Sequence, residues 1–125
     1  MARFGVRDVA RLLADPGIVR HRGKIEAAIA NARATVGLRD GLALHELVWS
    51  FAPRKHTAPR RQGEWPATTP ESVALSKELR RAGFRFVGPT TAYAAMQACG
   101  VVNDHLAGCI VRQAVEEERI AALTV

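Results

Sequence analysis

The stretch VVNDHLAGC sets an imidazole, His105, and a thiol, Cys109, one helical turn apart. Imidazole nitrogen and cysteine sulfur are the usual donors to zinc, and a structural zinc takes four of them in a tetrahedron. The pair therefore reads as half of a zinc site on one helix face. Its other half is not evident. Cys99 lies in a run of small residues and reads as a buried core cysteine. His45 and His56 lack ligand spacing. Glu46, Glu64 and Asp104 each read as a surface charge or a helix cap, so no residue of the chain is assigned a catalytic role. Trp49, Tyr93 and Met96 fall at helical core spacing, and Asn103 with Asp104 is expected to fix the turn that aims His105.

A second constellation lies in LLADPGIVRHRGKI, residues 12–25. Gly17 allows a sharp turn and close approach of another molecule, and Ile18 is expected to anchor that turn in the core while neighbouring amides face outward. The helix that follows begins with unpaired amides and the positive end of its dipole, a natural seat for an anion. Arg20, His21, Arg22 and Lys24 surround that seat. The segment resembles a helix-hairpin-helix, in which main-chain amides hold one DNA phosphate without reading sequence. Gly17, Val19, Arg20, Arg22, Gly23 and Lys24 are its candidate DNA-binding residues. The competing reading is a solvated turn between helices that happens to be basic. A β-branched residue at Gly17 should impair DNA binding at unchanged charge, whereas replacing Arg39 should do little.

The elements that must position these groups are helical. Val6, Val9, Ala10, Leu12 and Leu13 recur at helical spacing up to the break at Asp15-Pro16-Gly17. A second helix starts near Gly23 and ends at Gly37. A third carries Leu44, Leu47, Val48 and Phe51 on one face and must stop before Pro53. Residues 53–69 have no period and form a long basic surface loop. Thr69-Pro70-Glu71 starts a fourth helix, closed by Gly83. FRFV alternates like a strand but meets Gly88-Pro89 at once, a fresh helix start into TTAYAAMQAC. A last helix covers 115–125. The expectation is an all-α domain of five or six short helices.

Composition sets the outer bounds. A chain of 125 residues suits one domain. With 48% hydrophobic and 24% charged residues it is neither a disordered tail nor a membrane protein. No secretory signal is apparent, so a cytoplasmic location is expected by default. Eighteen Lys and Arg against 12 Asp and Glu give +6, and nearly all the cations are arginine. Arginine's planar fork grips phosphate, which favours a nucleic-acid partner; high genomic GC content would give the same bias. Two cysteines are too few to staple a secreted domain.

Four blocks of the sequence resemble bacterial DNA-3-methyladenine glycosylase I, of the helix-hairpin-helix glycosylase superfamily. They are GIVRHRGKIEAAIANA (17–32), LVWSF (47–51), LSKELRRAGFRFVGPT (75–90) and YAAMQACGVVNDHLAGC (93–109). The resemblance implies a helix-hairpin-helix glycosylase fold and an enzyme that flips an alkylated adenine out of double-stranded DNA and hydrolyses its N-glycosidic bond. It also implies a structural zinc, with His105 and Cys109 matching the second pair of ligands, and it places Tyr93 at the border of the base pocket. The family's first ligand pair, its base-recognising glutamate and its stacking aromatics have no match in these 125 residues. The chain is accordingly expected to be a single partial domain, the C-terminal two-thirds of such an enzyme and a monomer, with the zinc half-site at 103–109. The alternatives are a non-catalytic duplex DNA-binding module or an inactive truncated remnant.

Overall fold

Asp15, Pro16 and Gly17 interrupt an apolar period that begins at Val6, and the backbone leaves the helix there. Helix α1 spans Val6–Ala14 and α2 spans Arg22–Gly37. They are followed by α3 (Leu44–Trp49), α4 (Pro70–Arg81), α5 (Pro89–Ala98) and α6 (Arg112–Leu123). The computed structural model describes residues 1–38 and 41–123, and among them there are helices and irregular segments but no strand. The all-α expectation holds. Arg39 and the last two residues of the C-terminal helix expected from the sequence lie outside the described residues.

Helix ends fall where side chains satisfy free backbone groups. The Thr69 hydroxyl accepts the Ser72 amide at 3.2 Å, and the Thr69 amide donates to the Ser72 hydroxyl at 2.9 Å. This reciprocal cap starts α4. At the other end of α4 the Phe84 amide donates to the Leu79 carbonyl at 2.9 Å and the Gly83 amide to Arg80 at 3.0 Å. Gly83 has φ +92, the left-handed residue that such a termination requires. Gly88 and Pro89 then open α5.

The chain forms two compact units, Met1–Leu44 with Lys77–Val87, and His45–Ser76 with Gly88–Val125. In the first, α1 packs on α2 through buried Val9, Ile25 and Ile29, with Phe4, Leu12 and Leu13 partly buried against them. Burying each such side chain is worth roughly 1.5–3 kcal/mol. The Arg33 guanidinium donates to the carbonyls of Ala2 and Phe4 at 3.0 and 2.8 Å and ties the first residues down. Asn31 clamps the segment after α4: its amide nitrogen donates to the Arg85 carbonyl at 3.1 Å, and its oxygen accepts the Arg85 amide at 2.7 Å.

In the second unit Leu75, Met96 and Val101 are fully buried. Tyr93 and Met96 do pack in the core, whereas Trp49 is only half-buried. Cys99 is exposed, contrary to expectation. Helix α5 ends at Ala98, the chain turns at Gly100 with φ +73, and Val101 takes the core position instead. Residues 53–69 are irregular, yet they are not simply a surface loop. Pro59 is buried and its carbonyl accepts the Ala107 amide at 2.8 Å, while the Trp65 indole donates to the Asp104 carbonyl at 2.9 Å. Proline and tryptophan supplied the anchors that composition alone had marked as loop.

Candidate nucleic-acid interface

The hairpin between α1 and α2 is built on Asp15, whose carboxylate accepts the Gly17 amide at 2.8 Å. Such a side-chain turn substitutes for a backbone turn. Gly17 is not among the glycines with positive φ. Its need for glycine is one of space, since a Cβ there would stand 3.1 Å from the Asp15 carboxylate oxygen and crowd the bond that makes the turn. Ile18 does not anchor the turn: it is 40% exposed and Val19 is 80% exposed. The core of this unit is made instead by Val9, Ile25 and Ile29 with Phe4, Leu12 and Leu13, and neither Ile18 nor Val19 belongs to it.

What remains exposed is backbone and positive charge. The His21 amide donates to the Val19 carbonyl at 2.9 Å, but the amides of Ile18, Val19, Arg20, Arg22 and Gly23 have no acceptor among the described residues. His21 acts as the cap of α2, its Nδ1 accepting the Lys24 amide at 3.2 Å, rather than as one more surrounding charge. Lys24 therefore offers its ammonium and not its amide. Arg20, Arg22 and Lys24 are exposed. Among the described residues the only ion-pair contact of these three is Arg22 with Glu26, at 3.5 Å in solvent, which is worth little. Free amides at a helix start, with cations around them, are chemically suited to an anion.

His105 and Cys109 are brought together, although not by a helix. Residues 103–109 form turns, with the Cys109 amide donating to Leu106 at 2.9 Å, and the Cys109 sulfur lies 3.5 Å from His105 Nδ1. Asn103 fixes this turn as its position suggested. It is 1% exposed; its oxygen accepts the His105 amide at 3.4 Å and its nitrogen donates to Glu116 at 2.9 Å and to the Arg112 carbonyl at 3.1 Å. The Asn103 amide, and then Arg119 and Arg112, hold the Glu116 carboxyl below its usual range. Arg119 is itself buried and donates to the Val101 carbonyl at 3.0 Å. Among the described residues no group of three or more His, Cys, Asp and Glu could hold a metal.

Asp104 corrects a further expectation. It is neither a surface charge nor a helix cap but a part-buried hub, its side chain only 10% exposed. Oδ2 accepts the Tyr93 hydroxyl and the Gln97 amide, both at 2.6 Å, and Oδ1 lies 2.7 Å from His56 Nε2 in an ion-pair contact that lacks the direction of a hydrogen bond. Burial first, and the Asp104 bond next, push the Tyr93 hydroxyl well above its ordinary range. The sequence carried a signal for this hub: Tyr93 and Gln97, one turn apart on α5, put two donors on one face and so call for an acceptor. Glu64, by contrast, is a local clasp that accepts the Arg60 amide at 2.6 Å and the Arg61 guanidinium at 3.0 Å.

The arrangement has close counterparts. A solved structure of 3-methyladenine DNA glycosylase I superposes with a TM-score of 0.80 at 46% identity, covering 87% of this chain and 62% of that one. A variant of 3-methyladenine DNA glycosylase I, solved in complex with 3-methyladenine, gives 0.81 at 27% identity, covering 89% of this chain and 61% of that one. The fold is thus that of a helical DNA glycosylase. DNA-3-methyladenine glycosylase 1 of Escherichia coli (strain K12) is 50% identical over 112 residues, 87% of this chain. Residues 1–113 match the methyladenine glycosylase model, and the chain belongs to that family. It spans 60% of the length of the Escherichia coli protein.

Proposed function

We propose that this chain is the DNA-gripping body of a base-excision glycosylase of the 3-methyladenine type. The observation that carries the reading is the family match across residues 1–113. A base alkylated on its ring nitrogen is cationic and leaves readily, so the enzyme must chiefly extrude and hold it, and extrusion costs a few kcal/mol that grip on the backbone has to offset. In this chain the grip falls to the free amides of Ile18, Val19, Arg20, Arg22 and Gly23, with Gly17 shaping the turn and Arg20, Arg22 and Lys24 adding charge. The partner is double-stranded DNA, bound without reading sequence. A carboxylate that recognises the base belongs to a segment outside these 125 residues. Tyr93, with its hydroxyl committed to Asp104, packs rather than reads.

Zinc is the structural cofactor of this reading. His105 and Cys109 fit it: zinc bonds of about 2.0–2.1 Å to nitrogen and about 2.3 Å to sulfur at a tetrahedral angle put the two donors about 3.5 Å apart. The observed separation is 3.5 Å. These two side chains would hold the ion and tie the 103–109 turn to ligands from elsewhere. Zinc supplies cross-linking here and takes no part in breaking the glycosidic bond.

The test is release of free 3-methyladenine from methylated duplex DNA, by this chain and by the chain joined to the remaining segment of its Escherichia coli relative. Release by the joined protein is the expected result. Duplex binding without release in either form would leave a non-catalytic binding module, and the enzymatic reading would fall.

A further inference from the structure

Phe86 is the one non-glycine residue with positive φ among the described residues, at +59, and it is 58% exposed. Both properties are costly. A left-handed backbone strains a side chain with a Cβ, and an exposed phenyl forgoes burial. The three residues before it enforce the conformation. Gly83 ends α4 in a tight turn, Phe84 plugs into the core, and Asn31 grips both backbone groups of Arg85. Phe84 is thereby held in and Phe86 held out.

The exposed ring has a defined place. It meets the His21 imidazole edge to face, with centroids 6.3 Å apart and planes at 82°. A Cβ on Gly23 would lie 3.6 Å from the Phe86 ring tip. The ring therefore stands against the first turn of α2, beside the unbonded amides of Arg22 and Gly23. The residues flanking this contact in the chain include the exposed cations Arg20, Arg22 and Lys24 next to His21 and Gly23, and Arg85 next to Phe86. That charge repels a second copy of this chain, whose net charge is +6, and suits a polyanion with apolar faces.

A DNA strand alternates phosphates with deoxyriboses, so a phosphate on the α2 amides brings the adjoining sugar to the neighbouring surface. We infer that Phe86 is a positioning residue that packs against that deoxyribose and fixes the direction in which the strand crosses the hairpin. This rests on the proposed DNA-binding function and deepens it: the hairpin holds the phosphate, and a strained aromatic residue from a distant part of the chain sets the sugar beside it. The contact is apolar, so it releases no counterions.

Binding of an undamaged duplex, followed by fluorescence anisotropy over a range of salt, tests the inference in the full chain. Phe86→Ala weakens binding by at least about fivefold and leaves the slope of log affinity against log salt unchanged. Phe86→Trp, which restores an aromatic face, recovers most of the loss. Arg22→Ala lowers the slope by about 0.9. Phe86→Gly unfolds at a higher temperature than Phe86→Ala, because glycine relieves the backbone, and yet binds as weakly. Wild-type affinity in Phe86→Ala, or a fall in its salt slope, would overturn the inference while leaving the hairpin reading in place. A wild-type chain that binds no duplex would remove both.

Discussion

At Asp104 one carboxylate accepts both the Tyr93 hydroxyl and the Gln97 amide, with the His56 ring in contact beside them. A buried donor left without an acceptor costs about 1–3 kcal/mol, so Asp104→Ala should lower unfolding free energy by roughly that amount or more, read by urea titration. Tyr93→Phe removes a donor instead of orphaning one and should cost less. The hub also shapes stability against pH. Because folding raises the Tyr93 hydroxyl, its contribution is complete below about 10, the usual tyrosine value, and is lost as pH climbs through the raised one. Glu116 works in the opposite sense. Its lowered carboxyl gives stability that is complete above the usual glutamate range and is lost as the solution is acidified through the folded value. Glu116→Gln should flatten that acid limb of the unfolding curve. Neither Asp104 nor Arg119 could be singled out by residue type alone, since a buried charge and a surface charge look alike until their donors and acceptors are brought together in space.

Among the elements, helix ends were the most legible feature. Thr69 with Pro70 and Gly83 bound α4 as their chemistry demands, so Thr69→Ala should cost about 1 kcal/mol in thermal unfolding. The hairpin was legible as a basic turn, but the reason for Gly17 was not. Its backbone is unstrained, and the residue that makes the turn is Asp15. It follows that Gly17→Val and Asp15→Ala should weaken duplex binding alike, measured by anisotropy, although the second removes an acidic charge and on electrostatics alone would tighten binding. Tighter binding by Asp15→Ala would show that charge suffices and that the turn is incidental. The 103–109 segment misled in the other direction. Its His–Cys spacing fits a helix, but Asn103 and the Leu106–Cys109 turn deliver the same proximity without one. A spacing constrains which residues can meet more firmly than it fixes the backbone that joins them.

For the molecule as a whole, the helical class and the order of the helices could be read from apolar period and punctuation, because both are local. The anchoring of residues 53–69 and the placement of Phe86 beside α2 depend on contacts between distant parts of the chain, and nothing in a local pattern reports them. The same division separates fold from function. The family match covers residues 1–113, while the chain spans 60% of the length of its Escherichia coli relative, so the proposed grip on DNA is argued from this chain's own residues and the proposed base chemistry is not. The central claim is that main-chain amides of the hairpin hold a DNA phosphate. Titrating the isotopically labelled chain with an undamaged duplex and following each backbone amide by NMR tests it most directly. The account predicts that the largest shifts fall on Ile18, Val19, Arg20, Arg22 and Gly23, with Phe86 next to them. Unmoved hairpin amides, with the shifts gathered instead on the basic segment around Arg54, Lys55, Arg60 and Arg61, would contradict it.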